Sequence, residues 1–304
     1  MADSPIELAF TRGWVYTRDR VYIVAHAPEL ERQRMYLTLV LRWVGEWASF
    51  RIDWPVAALC ATQPPELTVY FVGPQGQVQV AVPSGFSQEV VDDSDEGPAH
   101  RGDLRDMRLI GEHVYVTGMG RQVYRRTDRA GWHRCDQGVL IPKREARVAG
   151  FNSIDGFAED QIYAAGWGGE IWHYDQRSWR QLPSLTNLKL QRVLCVPPRT
   201  VYACGQVGLL LRGFQDRWEV IEQEMTQEQF WGMEWFAGEL WLATTDSVFM
   251  LKEPDKLVEV DFGLEGEAVT CGCLHANDGV MWSIGRKHLF STADGANWTR
   301  HVFP

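Results

Sequence analysis

One five-residue pattern recurs along the chain and limits its fold more than any other feature: an aliphatic residue, then Tyr or Trp, then small residues and a Gly or Thr. The clearest copies are Val114-Tyr115-Val116-Thr117-Gly118, Ile162-Tyr163-Ala164-Ala165-Gly166, Val201-Tyr202-Ala203-Cys204-Gly205, Leu240-Trp241-Leu242-Ala243-Thr244 and Met281-Trp282-Ser283-Ile284-Gly285. Two weaker copies, Val21-Tyr22-Ile23-Val24 and Val69-Tyr70-Phe71-Val72-Gly73, precede them. Successive copies begin 39 to 48 residues apart, which makes seven repeats in 304 residues.

The fourth repeat shows the internal order best. A strand ends at Phe157, a turn runs over Ala158-Glu159-Asp160-Gln161, and a second strand covers Ile162 to Trp167. After a Gly168-Gly169 turn come a strand from Glu170 to Tyr174, a turn over Asp175 to Ser178, and a last strand from Trp179 to Leu182. The fifth repeat has the same order. Period-2 alternation with Gly, Pro and Asp at the turns is sheet chemistry. A four-stranded unit of this length cannot bury its faces alone, so it packs on its neighbours around an axis. The expectation is an all-β, seven-bladed β-propeller of four-stranded antiparallel blades. Two stacked sandwiches would not require regular repeats. The chain then forms one domain over 1–304, with blades near 7–55, 56–100, 101–146, 147–186, 187–225, 226–264 and 265–304. The fourth strand of the last blade comes either from Asn297 to Phe303 or from Ile6 to Thr11. The 14 Trp and 28 Gly fit this reading, with Trp132, Trp179, Trp218 and Trp298 opening fourth strands and filling the gaps between blades.

The last repeat contains Ser291-Thr292-Ala293-Asp294-Gly295-Ala296-Asn297-Trp298, which resembles a degenerate Asp-box, the S-x-D-x-G-x-x-W turn of sialidase-type bacterial propellers. Ser291, Gly295 and Trp298 match, whereas Ala293 stands at the box's Asp position. Asp175 to Trp179 and Asp128 to Trp132 keep only the Asp-to-Trp end. The resemblance to Asp-box and WD-repeat-like propellers covers residues 100 to 304 best. It implies the fold alone, because in those families the box is a folding turn remote from the active site.

Most reaction classes lack their motif. There is no HExxH, no GxxxxGK[ST] loop and no GxSxG elbow. The eight histidines form no i, i+2 or i, i+4 pair, and the six cysteines form no CxxC, so no metal or cofactor is expected. Cys271-Gly-Cys273 places two thiols on one strand face, where they read as small apolar residues. A sialidase-like enzyme would need an arginine cluster with a Tyr nucleophile and carboxylates, and no local motif selects them. Arg125, Arg126, Arg177 and Arg180 fall on outer strands or turns, as a solvated face.

A formal net charge of -10 excludes broad binding to a nucleic-acid backbone and makes a basic protein partner the natural one. The first residues carry neither a basic stretch nor an apolar one, and no run of about 18 apolar residues follows. The expectation is a soluble, cytoplasmic protein without a membrane partner, monomeric when free. The acidic, turn-rich Asp92-Asp93-Ser94-Asp95-Glu96-Gly97-Pro98 reads as an exposed loop. The turns entering first strands and those joining second to third strands open on one face. That face carries Arg105, Arg121, Trp167, Lys189, Gln206, Trp231, Asp246, Arg286 and Lys287, with Asp103, Asn187, Gln229 and Glu267 beside them. Exposed Trp and Arg amid polar residues make a protein-binding composition. Compact acidic bacterial propellers of this kind resemble inhibitors, which implies an immunity protein capping a toxin or secreted effector. A scaffold or assembly factor is the alternative, and a glycoside hydrolase the more remote one.

Overall fold

The computed structural model describes residues 7–33, 35, 37–62, 66–127, 131–264 and 267–303. Ile6, Asp128 and residue 265, at which an alternative closing strand, an Asp-to-Trp stretch and the seventh repeat were expected to begin, lie outside them. The described strands form seven sheets of four antiparallel strands, each in simple up-and-down order, and the chain is an all-β seven-bladed propeller. The blades span 9–52, 58–90, 104–134, 151–181, 190–220, 232–259 and 272–301. Among the described residues α-helix is confined to the short Pro28–Arg32 and Pro98–Arg101 segments.

Two compact units make up the chain. Ala57–Trp231 holds blades 2 to 5, and Met1–Val56 with Gly232–Pro304 holds blades 1, 6 and 7. In the first unit the first strands of blades 3, 4 and 5 (Leu104–Ile110, Phe151–Ala158 and Leu190–Val196) pack side by side. In the second, the first strand of blade 1 (Ala9–Thr17) packs on that of blade 7 (Gly272–Asn277). Blade 7 takes all four of its described strands from the C-terminal segment, ending at Thr299–His301, and among the described residues no N-terminal strand joins it. The two blades are joined by side chains and backbone instead. Val15 N donates to His275 Nδ1 at 3.1 Å, Asn277 Nδ2 to Tyr16 O at 2.6 Å, and Phe10 N to Arg286 O at 3.0 Å.

The fourth-strand tryptophans bind neighbouring blades as expected. Trp179 Nε1 donates to Cys135 O at 2.6 Å, Trp132 Nε1 to Glu89 at 3.0 Å, and Trp298 packs edge-on against Trp241 at 6.1 Å. Trp218 joins the apolar cluster of Tyr163, Leu182 and Leu211 between blades 4 and 5. The Asp-box remnant folds as a turn through Asp294, whose Oδ1 accepts from Ala296 N and Asn297 N, each at 2.8 Å. Those bonds hold the Asp294 carboxyl well below its ordinary value. Gly295 has a φ of +77°, and a Cβ there would come within 2.7 Å of the Trp241 ring, so both conformation and space call for glycine.

The arginines expected on a solvated face divide. Arg177 is exposed, and Arg180 pairs with Asp216 at the surface. Arg126, in contrast, is largely covered, and its Nη2 meets Glu89 Oε1 of the preceding blade at 2.7 Å. Arg125 meets Glu159 at 3.3 Å. Repeats set one blade apart bring opposite charges together, which a per-strand register does not reveal. The acidic 92–98 loop is likewise tied down. Asp92 Oδ2 meets Arg134 at 3.5 Å, Glu96 pairs with Arg101, and Lys143 Nζ donates to Asp95 O at 2.7 Å, while Asp93 and Asp95 keep their side chains at the surface.

This network gives stability a pH dependence of definite sign. Burial holds His26, His173 and His301 below their ordinary 6.5. Burial pulls Glu89 upward, but the bonds and charge of Arg126 outweigh it and hold the carboxyl below its ordinary 4.5. Groups with depressed folded-state values bind protons more readily in the unfolded chain, so their contribution is complete above the ordinary value and lost as pH falls. The urea midpoint is expected to be level above about pH 7, to decline from about pH 6.5 and to decline again below about pH 4.5. A midpoint constant or rising from pH 7 to 4 would contradict this assignment.

Candidate protein-binding face

In the 57–231 unit, the turns joining second to third strands in blades 4 and 5 have one construction. Trp167–Gly169 and Gln206–Gly208 are single 3-10 turns whose middle residues are left-handed, Gly168 at φ +65° and Val207 at φ +57°. Each turn hangs from the preceding first strand. Trp167 N donates to Gly150 O at 3.0 Å, and Gln206 N to Lys189 O at 3.1 Å. Gln206 also returns the contact, its Oε1 accepting from Lys189 N at 2.9 Å. Lys189 is thus fixed at its backbone from both sides.

Its side chain crosses to the neighbouring turn, with Nζ 3.5 Å from the centre of the Trp167 ring, a cation–π contact. Burial first, and then the like charge of Arg105, lower the Lys189 pKa. Trp167 Nε1 and Arg105 Nε are both buried without a hydrogen-bond partner. Trp167, Lys189 and Gln206 therefore form one cluster, with the charge of Arg105 felt at Lys189. Arg105 itself lines a cavity of about 290 Å³, together with Gln75, Pro98, Gly102, Asp103, Met119 and Arg147.

Arg121 is engaged within the fold. Its Nη2 meets Glu170 Oε2 at 2.7 Å and its guanidinium stacks on Trp172 at 4.9 Å, while Trp172 Nε1 donates to the same carboxylate at 3.1 Å. Trp231 keeps its ring 46% exposed, and its carbonyl accepts from Arg192 Nε at 3.2 Å. Arg192 Nη1 meets Asp106 Oδ1 at 3.1 Å, and Asp106 Oδ2 accepts from Ser153 Oγ at 2.8 Å and Ile154 N at 3.2 Å. An exposed tryptophan is thereby anchored to a buried ion pair spanning three blades.

In the other unit, Asp246, Arg286 and Lys287 are exposed on turns between second and third strands. Asp246 Oδ1 accepts from Thr244 Oγ1 at 3.1 Å, and Lys287 Nζ meets Glu7 at 3.0 Å. Glu267 pairs with Arg300 at 2.9 Å.

Sequence reasoning passed over Val207, which is 56% exposed on the same turn as Gln206. A β-branched residue with positive φ is strained, and such strain gathers at functional positions. The signal was available in the repeats: Trp167-Gly168-Gly169 aligns with Gln206-Val207-Gly208, so a valine stands where the neighbouring copy has glycine. Among the described residues no group of three His, Cys, Asp or Glu could hold a metal, and no helix is long and apolar enough to cross a membrane.

No protein-family model matches the chain. Among solved structures it is similar to the WD40 β-propeller domain of Doa1, with a TM-score of 0.70, 10% identity, and coverage of 94% of this chain and 92% of that one. It is similar also to YCF48 bound to D1 peptide, with a TM-score of 0.69, 13% identity and coverage of 99% and 94%. These likenesses carry the propeller fold and nothing finer. Immune protein Tsi7 of Pseudomonas aeruginosa is 38% identical over 303 residues, 98% of each chain. With that identity running the length of both chains, this protein belongs to the family of immune protein Tsi7.

Proposed function

We propose that the chain is a cytoplasmic immunity protein, monomeric when free, that neutralises a cognate toxin or secreted effector by binding it. The contact is made through the turns bearing Arg105, Arg121, Trp167, Lys189, Gln206 and Trp231, with Asp246, Arg286 and Lys287 on the corresponding turns of the other unit. The observation that carries this reading is the cluster of Trp167 and Lys189, with the charge of Arg105 felt at Lys189, in a family of immune proteins. Tryptophan and arginine dominate the energetics of protein interfaces. The net charge of -10 favours a partner that is basic as a whole and disfavours nucleic acid. One tyrosine paired with a carboxylate is closed to nucleophilic chemistry. Tyr115 donates to Glu159 at 3.1 Å, a pairing suggestive of a glycosidase nucleophile, but it is 1% exposed and burial pushes its hydroxyl pKa up.

A pull-down from the native host is expected to return one stoichiometric protein. In calorimetry with that protein, Trp167→Ala or Trp231→Ala is expected to weaken binding by about 2 kcal/mol, roughly 30-fold. Unchanged affinity across substitutions of the whole face would overturn the reading.

A further inference from the structure

The cations of the 57–231 unit that lie under its turns and between its blades are nearly all matched by carboxylates. Arg121 has Glu170, Arg126 has Glu89, Arg134 has Asp92 and Asp136, and Arg192 has Asp106. Arg105 and Lys189 break the pattern. Among the described residues neither forms an ion pair, and the charge of Arg105 reaches Lys189, whose pKa burial and then Arg105 lower. The Lys189 ammonium rests on the Trp167 ring, and the Arg105 Nε is shut away from solvent with no acceptor. Two neighbouring, partly desolvated cations form a poor arrangement in isolation and a good one around an anion. The cavity beside Arg105, near 290 Å³, has room for a carboxylate side chain.

We infer that Arg105 and Lys189, beside the Trp167 ring, receive an Asp or Glu side chain of the protein partner. This rests on the protein-binding reading above and names its chemistry at one point: a partner basic overall presents an acidic residue here. A nucleic-acid phosphate fits less well. Binding to such a backbone neutralises a run of phosphates, whereas here Arg105 and Lys189 stand in a chain of net charge -10, and the cavity at Arg105 sets Asp103 against Arg147. The strained Val207 stands on the turn that fixes Lys189, where an apolar contact would flank the charged one.

The test uses the full chain and the purified partner, after nuclease treatment, in calorimetry. Arg105→Glu with Lys189→Glu is expected to weaken binding at least about 30-fold, whereas Arg105→Lys with Lys189→Arg stays within roughly 3-fold of the parent. Selection of partner variants that restore binding to the reversed chain is expected to return Asp or Glu replaced by Lys or Arg. Circular dichroism and urea midpoints equal to the parent's identify the effect as one on binding. If the reversed chain binds as the parent does while Trp231→Ala still weakens binding, the inference falls and the protein-binding reading stands. Loss of binding on nuclease treatment would overturn the inference in favour of a nucleic acid, and capture of no protein would overturn both.

Discussion

Asp106→Ala is expected to lower the free energy of unfolding by about 3–5 kcal/mol, the largest effect of any single substitution considered. The carboxylate is 4% exposed and joins three blades. It lies on the first strand of blade 3, accepts from Ser153 Oγ and Ile154 N of blade 4, and meets Arg192 of blade 5. Alanine would leave a largely buried guanidinium without its counter-charge, and a buried hydroxyl and amide without their acceptor. Asp106→Asn retains an acceptor but not the charge, so it is expected to cost less, which separates the ionic part from the hydrogen-bonding part. Urea denaturation followed by tryptophan fluorescence measures both. A loss below about 1 kcal/mol for alanine would mean that the three blades are held by apolar packing alone. Because Arg192 also binds the Trp231 carbonyl, Asp106→Ala should disturb an exposed ring from within the fold.

Gly205→Ala ranks next, with an expected loss of about 3 kcal/mol. Gly205 has a φ of -174°, an extended conformation open to any residue, so its requirement is one of space. A Cβ there would lie 2.1 Å from Lys189 O and 2.9 Å from Leu190 Cα. The same approach recurs at Gly166, 2.0 Å from Gly150 O, and at Gly285, 1.8 Å from Thr270 O. The glycine closing the sequence repeat is thus the point where a second strand crosses the entrance of its own blade. Relief of the clash would push Lys189 away from Gln206 and Trp167, so partner binding should weaken together with stability. A Gly205→Ala protein with an unchanged urea midpoint would contradict the steric argument.

The repeat itself made the fold legible. The spacing of Val114, Ile162, Val201, Leu240 and Met281 marks second strands, and the Gly168-Gly169 and Asp175 turns locate hairpins, because backbone geometry within a blade is local chemistry. The candidate site was legible by position but not by partnership. Arg121 stands on the expected turn, yet its bond to Glu170 crosses 49 residues and one blade boundary. Arg192 and Asp106 are 86 residues apart. Such pairs depend on how adjacent sheets are rotated against each other, a quantity that no strand period encodes. Arg121 and Lys189 look alike in sequence, and only packing separates the cation with a carboxylate from the one without.

The paired turns at Trp167 and Gln206 carry a consequence for divergence. Each is suspended by backbone bonds, Trp167 N to Gly150 O and Gly205 N to Leu209 O among them, so the frame is indifferent to the side chains it displays. Gly168 in one copy and Val207 in the other occupy the same left-handed position with different surfaces. The side chains on these turns can therefore change one blade at a time while the strands beneath remain as they are.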